Sequence, residues 1–134
     1  MKILLICSKA FYDKLDFYKN TLEKIGHTVF MPNCWNCPET ENKYRGTKQH
    51  SEWKAKMFKQ SETTISNMDA VLCLNFDKNG VKNYIGGATF LELYDAFKQN
   101  KKIFFINDIP EGILKDELIG FSPTIIDNNF ELIK

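Results

Sequence analysis

The chain has no long hydrophobic run, so nothing in it reads as a membrane span. It has no surplus of either charge: 18 Lys and Arg against 17 Asp and Glu give a formal net charge of +1. That balance gives no support for a nucleic-acid or membrane-surface partner. Histidine is scarce, with His27 and His50 as the only two. The start of the chain, Met1–Cys7, is too short for a signal peptide and reads better as a strand. Cysteine is present but not arranged as a disulfide framework, because Cys7 and Cys73 fall in apolar runs. A reduced, cytoplasmic protein is therefore expected. Repeats, low-complexity tracts and linkers are missing, and 134 residues suit one domain, 1–134, around one core.

What is present alternates between two periodicities. Lys2–Cys7 is a continuous apolar run, as expected of a strand buried on both faces. Phe11, Leu15, Tyr18, Leu22 and Ile25 then share one helical face, and Gly26 closes that helix. His27–Met31 is a second strand. Asn33–Lys48 reads as a long surface loop, a lid, and Thr47–Ser66 as the second helix. Asp69–Phe76 is the third strand, with a turn at Asp77–Gly80. The third helix covers about Gly86–Gln99 and is expected to bury Phe90, Leu93, Tyr94 and Phe97. Lys102–Asn107 is the fourth strand, Glu111–Ile119 a short helix and Pro123–Asp127 the fifth strand. This βαβ alternation predicts an α/β, flavodoxin-like (Rossmann-like) three-layer fold with a parallel sheet ordered 2-1-3-4-5. Ligands of such sheets sit beyond the carboxyl ends of the strands, near the β1/β3 switch point. Ser8, Lys9, the segment Asp77–Tyr84 and Asn107 crowd that edge.

Several groups there carry chemistry, each with a structural alternative. Glu92 follows a glycine-bearing loop, Gly86-Gly87, at the start of the third helix. It is either a nucleophile or base facing the cleft, ionised by the helix N-terminus, or the return arm of a Thr89-x-x-Glu92 capping box. Gly86-Gly87-Ala88 has no Gly-Lys-Ser/Thr after it and is no Gly-x-Gly-x-x-Gly, so it is neither a Walker loop nor a dinucleotide fingerprint. Ser8-Lys9 suits a phosphate. Asp77 trails the third strand at the cleft end, while Asp69 lies at the wrong end and is expected to be structural. Glu62 and His50 belong to the second helix, either solvent-facing or beneath the lid. Trp35, Tyr44, Trp53 and Tyr84 are the aromatic groups able to stack on a base. Cys34-Trp-Asn-Cys37 has the spacing of half a zinc site or a redox pair, but neither histidine completes a ligand set, and an incidental pair is the favoured reading. No metal or cofactor is expected.

The run Gly86-Gly87-Ala88-Thr89-Phe90-Leu91-Glu92-Leu93-x-x-Ala96, then Asn100-Lys101-Lys102-Ile103, resembles the nucleoside 2-deoxyribosyltransferase family and its relatives that hydrolyse deoxynucleoside monophosphates. The resemblance extends to Asp69-Ala-Val-Leu and Lys2–Phe11. It implies a flavodoxin-like homodimer in which Glu92 attacks the anomeric carbon of a nucleoside or nucleotide and releases the base with retention. Of the family's helpers, the resemblance offers only Glu62 as the nearest counterpart of its other acid and Ser8 near its 5′-phosphate contact. The residues by themselves add Asp77 as a candidate acid, and Lys9, Phe11, His50, Asn83, Tyr84, Gly86, Gly87, Thr89 and Asn107 as candidate substrate contacts. The chain departs from the family at Tyr94, where a glycine is usual, and at Gly86, where a carboxylate is usual. Two other readings remain open: a non-catalytic nucleotide-binding module, and a TIR-like domain that cleaves or senses NAD.

Overall fold

A computed structural model describes residues 1–134. Five parallel strands form one sheet in the order β2-β1-β3-β4-β5. The strands are β1 Lys2–Ile6, β2 Thr28–Phe30, β3 Ala70–Cys73, β4 Lys102–Phe105 and β5 Thr124–Ile125. The five helices are α1 Leu15–Lys24, α2 Thr40–Tyr44, α3 Gln49–Ser66, α4 Gly87–Lys98 and α5 Lys115–Gly120. This is the flavodoxin-like arrangement that the alternating pattern predicts.

The two-residue period of β1 divides the core. Ile3 and Leu5 face α1 and meet Phe11, Leu15, Tyr18 and Leu22. Leu4 and Ile6 face the other side and meet Ile65, Leu93, Ala96 and Leu118 from α3, α4 and α5. Every side chain of β3 is buried, because layers cover both faces of this central strand.

The register brings the ends of β1 and β3 together, with Ile6 opposite Cys73. β4 continues the edge, with Phe105 opposite Cys73. Asn75 locks this end of the sheet. It is fully buried, its Nδ2 donates to the carbonyls of Asn107 and Asp108 (2.9 and 3.0 Å), and its Oδ1 accepts from the Asn107 N–H (2.9 Å). Asn107 Nδ2 returns the bond to the Asn75 carbonyl at 3.0 Å.

Local departures from the sequence pattern have physical causes. The stretch before α1 is a tight 3₁₀ turn, Lys9–Lys14, which Ser8 caps by accepting the Ala10 N–H at 3.4 Å. Ile25 lies past the last turn of α1 and is 51% exposed, so it leaves the apolar stripe. The expected loop Asn33–Lys48 contains the short helix α2. On α4 only Thr89, Leu93 and Ala96 are fully buried; Tyr94 and Phe97 are nearly half exposed and Phe90 is half-buried. Small Ala96 permits close packing on β4, and the aromatic residues lie to the side, against Phe121.

Candidate functional site

A cavity of about 630 Å³ opens beyond the carboxyl ends of β1 and β3, within the range of small-molecule sites. It is lined by Cys7 and Ser8 after β1, by one face of α4 along its length, and by α3 with the Asn33–Cys34 segment. The loop into α4 is built by a hairpin. Lys78 and Val81 exchange backbone hydrogen bonds of 2.9 Å, while Asn79 and Gly80 take positive φ, as a tight two-residue turn requires. Tyr84 packs over Gly86: a Cβ there would lie 3.2 Å from the tyrosine oxygen. That close approach explains a glycine at a position whose φ is ordinary.

Glu92 is partly buried and lines the cavity. The capping box expected from Thr89 does not form. Gly86 is the N-cap and Phe90 N–H donates to the Gly86 carbonyl at 2.9 Å, which places Thr89 inside the first turn, fully buried. Glu92 is therefore the sixth residue of α4, beyond the reach of the helix terminus. Burial pushes its carboxyl up to about 8, the Asp95 carboxylate adds to this, and Lys54 opposes it. The expectation of a carboxylate ionised by the helix start is thus reversed: the free site holds Glu92 mainly as the acid at neutral pH.

Asp95 is the second cavity carboxylate, and sequence reasoning missed it. It stands one helical turn after Glu92, on the same face, and pairs with Lys98 at 3.4 Å. Its i, i+3 spacing from Glu92 was the available signal. Of the two helpers in view, Glu62 lines the cavity from an exposed position on α3. Asp77 does not line it, because its Oδ1 accepts the Asn83 N–H at 3.0 Å and braces its own loop.

The expected lid carries a further unanticipated group. Glu41 on α2 is buried, and three cationic side chains and one imidazole converge on it. Lys9 Nζ lies 3.2 Å away, Lys54 Nζ 3.1 Å, Arg45 3.4 Å and His50 Nε2 3.0 Å. Burial alone would raise this carboxyl; the hydrogen bonds from His50, Lys54 and Lys9 outweigh it and hold the group down at about 2. Three lysine and arginine charges against one carboxylate leave two in excess, even with His50 neutral.

The remaining expected contacts divide cleanly. Ser8, Lys9, Tyr84, Gly86, Gly87 and Thr89 line the cavity. Ser8 Oγ accepts from Lys78 Nζ at 3.2 Å, and that ammonium lies 4.7 Å above the Tyr84 ring. Phe11 does not reach the cavity; it is core, edge-on to Phe76. Asn83 is buried in the Asp77 loop at positive φ, and Asn107 is spent on Asn75. His50 does not line the cavity; its ring contacts Glu41, which does. Asp69 braces the opposite end of the sheet, accepting the Lys2 N–H at 2.7 Å. Of the four aromatic groups, Trp53 and Tyr84 line the cavity, whereas Trp35 and Tyr44 do not. No group of three or more His, Cys, Asp or Glu side chains is arranged to hold a metal ion. No helix is long and apolar enough to cross a membrane.

The cavity is cationic. Lys9, Arg45, Lys54, Lys59, Lys78 and Lys98 line it, against the four acids Glu41, Glu62, Glu92 and Asp95. With Glu92 protonated the excess of cationic over acidic side chains is larger, and Trp53 and Tyr84 are the two of the four candidate aromatic groups at its wall. Comparison with protein-family models and with curated proteins finds no match.

Proposed function

We propose that this cavity cleaves or exchanges the N-glycosidic bond of a nucleoside monophosphate, with Glu92 as the nucleophile. The observation that carries the reading is a carboxyl partly buried in a cationic cavity, with a second carboxylate one turn along the same helix. Residues three apart on a helix have Cβ atoms about 5–6 Å apart. Retaining glycoside cleavage uses two carboxyl groups on one site, and this pair supplies two on one helix face. The Glu92 carboxylate bonds to the anomeric carbon as the C–N bond breaks, and the leaving base takes a proton from a second acid or from water; water or another nucleobase then displaces Glu92 from the ribosyl ester. In this reading Asp95 takes the proton of that water. The excess of lysine and arginine favours a phosphorylated substrate over a neutral nucleoside. A homodimer belongs to the same proposal, and sedimentation equilibrium tests it independently.

The test is release of free base from a panel of ribo- and deoxyribonucleoside monophosphates, followed by chromatography across pH. A nucleophile held at about 8 must ionise before attack. The expected kcat/KM therefore rises about tenfold per pH unit and levels off above that value. A rate that falls above pH 8 would make Glu92 the proton donor and overturn its assignment as nucleophile.

One observation favours a second reading. A carboxyl kept protonated at neutral pH can simply donate a hydrogen bond to a bound nucleotide without turnover. Thermal stabilisation by the same panel, with no base released at any pH, selects this non-catalytic module.

A further inference from the structure

The chain has four free cysteines with very different surroundings. Cys7 and Cys73 are buried, and burial pushes both thiols up, Cys7 to about 12, so neither attacks readily. Cys37 is exposed, and Cys34 is half-buried in the cavity wall, where burial also raises its thiol, so Cys37 is the more accessible of the pair.

Their backbone is already folded for a bridge. The Cys37 N–H donates to the Cys34 carbonyl at 3.0 Å, closing a four-residue turn. Such a turn brings its end Cα atoms within about 7 Å, and disulfides span about 4.4–6.8 Å. Cys34 is held at φ +58°, a conformation uncommon for a residue with a Cβ, and its neighbour fixes it there. Asn33 Nδ2 donates to Ser61 Oγ at 2.6 Å, and the Asn33 carbonyl accepts from the Tyr12 hydroxyl at 3.2 Å. One end of the turn is thus pinned to α3 and to the 3₁₀ turn after β1, while the other end faces solvent.

We propose that Cys34 and Cys37 form a redox-active dithiol site that closes to an intramolecular disulfide by exchange with a small-molecule disulfide. Exposed Cys37 attacks first. Its thiolate forms a bond to one sulfur of the small disulfide, whose S–S bond breaks to release one thiolate. The Cys34 thiol then loses its proton to water and attacks the Cys37 sulfur, expelling the second thiolate. The pair gives up two electrons and two protons, and one small disulfide becomes two thiols. Closure draws Cys34 Sγ from its 3.7 Å contact with Met57 Sδ and so alters the wall of the Glu92 cavity. The site stands whether or not the cavity cleaves nucleotides.

The experiment treats the reduced folded protein with excess oxidised glutathione and follows intact mass, titratable thiols and tryptophan fluorescence. The expected product has lost two hydrogens and two titratable thiols, and peptide mapping joins residues 34 and 37. Fluorescence falls, because Trp35 lies between the bridging residues. Cys34→Ser is expected to stop at a single glutathione adduct on Cys37, and Cys37→Ser to react roughly tenfold more slowly. The equilibrium constant for closure is expected to be about tenfold higher in the folded protein than in urea, because the turn is preformed. A stable glutathione adduct on wild-type Cys37 overturns the proposal, as does closure equally favourable in the unfolded chain.

Discussion

Replacing Glu92 by glutamine is expected to stabilise the protein at alkaline pH and to leave it unchanged in acid. The Glu92 carboxyl is raised by burial from its ordinary 4.5 to about 8. Below the lower value both folded and unfolded chains carry the proton, and the group is neutral in both. Between the two values the folded chain holds a proton that the unfolded chain has lost, so stability declines as pH rises. Above about 8 the decline is complete, and the fold carries a poorly solvated charge. Full conversion of the shift at about 1.36 kcal/mol per pH unit sets an upper bound near 5 kcal/mol. The carboxyl faces a cavity open to water, which relaxes the charged form, so about 2–3 kcal/mol is expected at pH 9. Glutamine has the shape of the protonated acid and no charge to strand. Thermal melts of wild type and Glu92→Gln at pH 4 and pH 9 should coincide in acid and differ by about 6–12 °C in alkali, with the variant higher. A variant that melts lower at pH 9 would refute the reasoning. It would mean that the carboxylate makes a stabilising contact, as a capping box would, and that no unfavourable charge is stored in the cavity.

Two other perturbations test the scaffold around it. Glu41→Gln is expected to cost about 1–3 kcal/mol at pH 7, with the range lowered by the exposure of its partners. The Glu41 carboxyl is depressed to about 2, so its contribution is present above the ordinary value and lost as pH falls toward 2. Urea unfolding of both proteins at pH 7 and pH 3 should show the difference shrinking in acid. Asn75→Ala removes the partners of the Asn107 N–H and of the Asn107 and Asp108 carbonyls. A loss of about 2–4 kcal/mol in urea unfolding is expected, and faster amide exchange at Asn107 should accompany it.

The site was less legible than the fold, and particular residues show why. Glu92 and its glycine loop stood out because they adjoin in sequence. Asp95 could have been found by extending the same helix one turn. Glu41 could not, since its partners Lys9 and Lys54 come from either side of a segment with no periodicity. Phe11, Asn83 and Asn107 do not line the cavity, because proximity to the strand ends does not say which way a side chain turns. Each is used up by a neighbour, Phe76, Asp77 and Asn75 respectively.

The sequence by itself determined the parallel α/β sheet and its strand order, since alternating buried strands and amphipathic helices leave few right-handed ways to wind. Tertiary structure alone decided the ionisation of the cavity. A carboxyl's charge depends on how much water and which charges surround it. For Glu92 and Glu41 those surroundings come from segments distant in the chain, which send one acid up to about 8 and the other down to about 2.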